Sequence, residues 1–131
     1  MEISINGEKY GLLWGLAAID RFCNLVELDL ESALNLVFAG DGKSQISQTI
    51  ALSKFITCAI DSYAKVNKTV GGINHEQILM EFDNQGITLV EGVLDDFLHS
   101  KILGQNVSDY LGITVTKVDD TKPATKKNKL L

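Results

Sequence analysis

Two cysteines, two histidines, one proline and one tryptophan are all that 131 residues hold of those types, and each scarcity closes off some chemistry. Cys23 and Cys58 both fall among apolar residues of predicted helices. They read as small buried hydrophobes in a reducing compartment, with a disulfide between them as the alternative. His75 falls in the first turn of a predicted helix, where the helix dipole disfavours its charged form. His99 follows Asp95 by four residues, a spacing that permits a surface pair. Neither histidine has partners at metal-ligand spacing or a neighbouring nucleophile, so no zinc site and no nucleophile–base pair is expected. Asp95 and Asp96 point about 100° apart on a helix. Like Glu81 with Asp83 and Glu27 with Asp29, they read as solvated faces. No catalytic residue, metal ligand or cofactor is assigned.

Long apolar runs are missing too, which predicts no transmembrane helix. No basic segment precedes an apolar one near Met1, so a cytoplasmic rather than secreted protein is expected. Positive charge is scarce until late in the chain. Residues 1–116 carry 7 Lys and Arg against 15 Asp and Glu, a balance of −8. Residues 117–131 carry 5 Lys against 2 Asp, a balance of +3, and the two parts sum to the formal −5. Phosphate contact needs positive potential, so the acidic body argues against a nucleic-acid-binding surface.

What is present describes one helical domain. Apolar residues make up 45% and charged residues 22%, values of a soluble globular protein of a length that supports a single core. Ile3 and Ile5 alternate with polar neighbours, Asn6-Gly7 supplies the two residues that tolerate positive φ, and Glu8-Lys9-Tyr10 returns. This is the signature of a β-hairpin with a type I′ turn. Its apolar face, Ile3, Ile5, Tyr10 and Leu12, must be covered, since two strands alone are marginal in water. Leu12, Leu16, Ile19, Cys23 and Val26 then recur at helical spacing, predicting a helix from Trp14-Gly15 to about Leu25.

Asp29 caps a second predicted helix carrying Leu30, Ala33, Leu34, Val37 and Phe38, and Gly40 stops it. The third and longest, from about Ser44 to Lys65–Asn67, is apolar around much of its circumference from Ile46 to Ala64. That pattern predicts a central spine about 33 Å long. Asn74 with Gln77 forms a capping box for a fourth helix, with Ile73 able to staple on Ile78, and Gly86 ends it. Thr88-Leu-Val-Glu91 reads as a second capping box, for a helix running through Ile102 to a stop at Gly104. Ile87 to Val93 also suits a strand, but the sustained helical spacing favours the helix. Ile113 to Val118 alternates as an edge strand would. The expected fold is therefore mainly α (α+β), a bundle of about five helices with an N-terminal β-hairpin over residues 1–116. Residues 117–131 form a polar, Lys-rich tail around Pro123, with too little to bury to be ordered alone.

Gly40-Asp-Gly-Lys-Ser44 resembles the end of a phosphate-binding loop, but the full motif needs glycine where Val37 stands and a buried strand where a helix is predicted. An interhelix turn is the better reading. Trp14 has two readings, an interface anchor or the residue that packs the hairpin on the bundle, and packing is favoured.

The opening Met1-Glu-Ile-Ser-Ile-Asn-Gly-Glu-Lys-Tyr10, with Gly15 near the start of the helix that follows, resembles the opening of tailed-bacteriophage tail assembly chaperones. The match covers about 25 residues, and the acidic helical body and polar tail agree in style. The resemblance implies a non-enzymatic role: binding the long helical tape measure protein, keeping it soluble, and promoting assembly of tail tube protein around it. It also implies that a longer product could arise by frameshifting, with the tail as a linker, the alternative being a frayed terminus. The candidate partner-contacting residues are Trp14 and the tail lysines Lys122, Lys126, Lys127 and Lys129. Self-association is compatible with this reading. A small helical regulatory or adaptor protein of a mobile element, and an enzyme with its site at an oligomer interface, stand as the other function classes.

Overall fold

A computed structural model describes residues 1–38 and 45–111, and the fold is mainly α. The chain opens with strands β1 (Glu2–Ile5) and β2 (Glu8–Gly11), antiparallel with Ile3 opposite Tyr10 and Ile5 opposite Glu8. Asn6 and Gly7 take φ of 53° and 83°, the type I′ pair the sequence predicts. Leu12 N–H donates to the Met1 carbonyl at 3.0 Å and lengthens the ladder. Ile3, Ile5 and Leu12 are buried, and Tyr10 packs at the margin of the same face.

Helix α1 spans Leu16–Val26, and here the predicted stripe is rotated. Its buried residues are Ala18 and Phe22, whereas Leu16 is 57% exposed and Ile19, Cys23 and Val26 pack only at the flank. The reason is Phe22, whose ring stacks on Phe55 at 4.7 Å and turns the helix to seat the largest side chain deepest. The helix ends in a Schellman motif, with Glu27 N–H on the Asn24 carbonyl and Leu28 N–H on the Cys23 carbonyl. Glu27 occupies the left-handed position at φ 58°, where glycine is usual.

Helix α2 (Leu30–Phe38) starts as expected, the Asp29 carboxylate accepting from Ser32 N–H at 2.9 Å. The Gly40 stop and the 40–44 turn lie outside the described residues. Helix α3 (Gln45–Asn67) is the spine, meeting α1, α2, β2 and the fourth helix. Leu52, Phe55, Ile56, Ala59 and Ile60 are buried, but Ile46 and Ile50 in its first turns are exposed. β2 reaches the spine at Gly11, where a Cβ would lie 2.5 Å from the Tyr63 ring. Only glycine allows that approach. Two residues on, Leu13 N–H donates to the Ala59 carbonyl at 3.1 Å.

Helix α4 (His75–Gln85) has the expected box: Asn74 accepts from Glu76 N–H at 2.7 Å, and Gln77 accepts from Asn74 N–H at 3.1 Å. Gly86 closes α4 and also opens α5 (Ile87–His99). The chain turns in that single residue, at φ 83°, so Thr88 already sits inside the first turn and its capping box does not form.

Helix α5 stops at His99, earlier than the spacing through Ile102 predicts. Ser100 is extended, and a second hairpin follows, β3 (Lys101–Ile102) with β4 (Gln105–Asn106). Gly104 is therefore a turn residue rather than a helix stop, and a short sixth helix α6 (Val107–Leu111) completes the described chain. The Tyr110 hydroxyl donates to the Ile102 carbonyl at 2.8 Å and fixes α6 to the hairpin. The predicted strand over 113–118 and the tail lie outside the described residues.

Two stability outcomes follow from this packing. Ile60, 1% exposed on the spine, should cost about 2–5 kcal/mol on Ile60→Ala, read by denaturant unfolding. Glu27→Gly should gain about 1 kcal/mol in the same assay, because glycine has no steric penalty in the left-handed region.

Candidate interaction site

Trp14 lies at the junction between hairpin and bundle, and the structure places it in the core. It is 6% exposed, with its ring 5.0 Å from Phe55 and 5.1 Å from Phe97. Its Nε1–H donates to Asp96 Oδ2 at 2.8 Å, which satisfies the one polar group the indole takes inside. Asp96 thus has a structural partner, while Asp95 beside it faces solvent and approaches His99 Nδ1 at 3.2 Å. The packing role of Trp14 is the one observed. Lys122, Lys126, Lys127 and Lys129 lie outside the described residues.

Other groups with chemical potential are quiet. Among the described residues no three His, Cys, Asp or Glu gather closely enough to hold a metal ion. Both thiols are free. Burial pushes the Cys58 thiol up to about 11, and burial, then Asp20 and Asp29, raises that of Cys23. Such thiols are poor nucleophiles at neutral pH. Val37 is buried within α2, as the reading of the Gly-Lys-Ser turn requires, while the turn itself lies outside the described residues. No helix among the described residues is long and apolar enough to cross a membrane.

What remains is apolar surface. The α1–α2 corner presents Leu25, Leu28 and Leu30, all exposed and interleaved with exposed Glu27, Asp29 and Glu31. A separate groove of about 200 Å³ lies between α2, the start of α3 and α5. Polar Gln45, Gln48 and Thr49 line it with Leu52 on the α3 side, and Val90, Glu91 and Leu94 line it on the α5 side. The sequence patterns missed both. Helical periodicity reports which face has most apolar residues, not which of them a neighbour fails to cover.

No protein-family model, no curated protein and no solved structure matches this chain.

One contact outside these surfaces gives the domain a pH response. Glu81 on α4 accepts from Asn6 N–H at 3.0 Å and from Gln85, and those bonds, Asn6 first, hold its carboxyl below the usual value of 4.5. Asp29 is likewise lowered, by its bonds from Ser32. A depressed carboxylate favours the fold above its unfolded pKa, and that contribution fades as pH falls through the folded value. The melting temperature should therefore decline as pH drops below 4.5, and Glu81→Gln should flatten part of the decline.

Proposed function

We propose that this protein is a non-enzymatic tail assembly chaperone of a tailed bacteriophage or prophage. In this reading it works in the cytoplasm of the bacterial host, binds the helical tape measure protein and promotes assembly of tail tube protein around it. The observation that carries the reading is the Ile-x-Ile-Asn-Gly hairpin running through Trp14-Gly15 into a helix. The leucine-and-acid corner adds a physical reason. An amphipathic helix with lysine or arginine beside its apolar stripe would bury Leu25, Leu28 and Leu30 and meet Glu27, Asp29 and Glu31 at the rim. The acidic body would keep such a complex soluble.

Co-expression with the tape measure protein encoded nearby tests this. Fractionation should find that protein soluble and bound with the wild-type chain, and pelleted without it. Leu25→Ser combined with Leu30→Ser should return most of it to the pellet while the variant's own melting temperature holds. Equal solubility with and without this chain would overturn the reading.

A further inference from the structure

The α1–α2 corner keeps three leucines in water on a backbone pinned at both sides. Leu25, Leu28 and Leu30 are 54%, 40% and 50% exposed. Glu27 and Leu28 N–H groups close α1 on the Asn24 and Cys23 carbonyls, and the Asp29 carboxylate opens α2 by accepting from Ser32 N–H. The leucines cannot turn inward without breaking one of these caps. The charge around them is one-sided. Residues 22–38 contain Glu27, Asp29 and Glu31 and no lysine or arginine. Among the described residues none of the three acids forms an ion pair.

The complementary composition lies in the same chain. Residues 121–131 hold four lysines and no acid, and Lys126-Lys127-Asn128-Lys129 runs straight into Leu130-Leu131. Three cations beside two leucines match three carboxylates set among three leucines. Apolar burial supplies the attraction in such a pairing, and the opposite charges at its rim fix the register. The chain also has the reach. Helix α6 packs on α5, Phe97 of α5 stacks on Phe38 at the end of α2, and Leu30 lies about 12 Å back along α2. Residues 112–125, which separate α6 from Lys126, span up to about 46 Å when extended.

We propose that residues 126–131 dock on this corner of their own molecule, Leu130 and Leu131 against Leu25, Leu28 and Leu30, and the lysines facing Glu27, Asp29 and Glu31. The tail then holds the surface that a basic amphipathic helix would use, so a partner must displace it. That competition rests on the chaperone reading, whereas the contact itself needs no other protein.

Amide NMR spectra of the full chain test the contact. Two tail variants are compared with the wild type, one carrying Lys126→Glu, Lys127→Glu and Lys129→Glu, the other Leu130→Ser and Leu131→Ser. Each should move the signals of residues 23–31, leave those of α4 and α5 in place, and melt as the wild type does. A tether of this length sets an effective concentration of roughly millimolar, so diluting the wild type from about 200 to 20 µM should change nothing at the corner. Carbodiimide coupling, which joins a carboxylate to an amine in contact with it, gives a second readout. Mass spectrometry should find the tail lysines linked to Glu27, Asp29 and Glu31 at least about fivefold over exposed Glu76, Asp83 and Glu91. Leu25→Ser combined with Leu30→Ser should abolish that preference. Corner signals that stay fixed in both tail variants, corner signals that shift on dilution, or links spread evenly over the exposed acids each overturn the proposal.

Discussion

Five aromatic rings in mutual contact hold this fold together. Phe55, midway along the spine, is touched by Trp14, Phe22 and Phe97, at centroid separations of 5.0, 4.7 and 4.9 Å. Phe38 stacks on Phe97 at 5.8 Å. The five come from the hairpin junction, α1, α2, α3 and α5, so one cluster joins the first hairpin to four helices. Tilted and edge-on pairs of this kind add about 0.5–1.5 kcal/mol each beyond the area they bury. The Trp14–Asp96 bond adds direction to a contact that would otherwise be only apolar. With it, the hairpin must meet α5 in one orientation.

Much of this architecture was legible in the residues, where a signal was local and had one physical solution. Asn6-Gly7 fits one turn, Asp29 and Asn74 cap the helices they precede, and the long apolar pattern of α3 can only be central. The failures share a cause. The α1 stripe counted apolar positions equally, but Phe22 outweighs Leu16 and sets the helix rotation. The Thr88 box is a sound local motif that lost to Gly86, because a one-residue turn moved the helix start past it. The second hairpin left no readable signal, since leucine at position 103 lacks the positive-φ tolerance that marks Asn6. The groove and the exposed leucine corner depend on which neighbours are absent, and that information is tertiary.

The acidic, mostly helical body and the proposed chaperone role are physically compatible because the exposed leucine corner stands apart from the aromatic core. The leucine corner belongs to the α1–α2 connection, whereas the groove belongs to α2, α3 and α5.

The Trp14–Asp96 bond joins residues 82 apart. A chain emerging from the ribosome therefore cannot close its central cluster until α5 has been synthesised, by which time most of the domain is present. Trp14 must wait, with one side of its ring uncovered, for a helix encoded near the far end. No stable N-terminal half is expected on this topology, and closure is a single late event. The lone indole at that junction makes the event visible, because its ring meets Phe97 and its N–H meets Asp96 only when α5 docks.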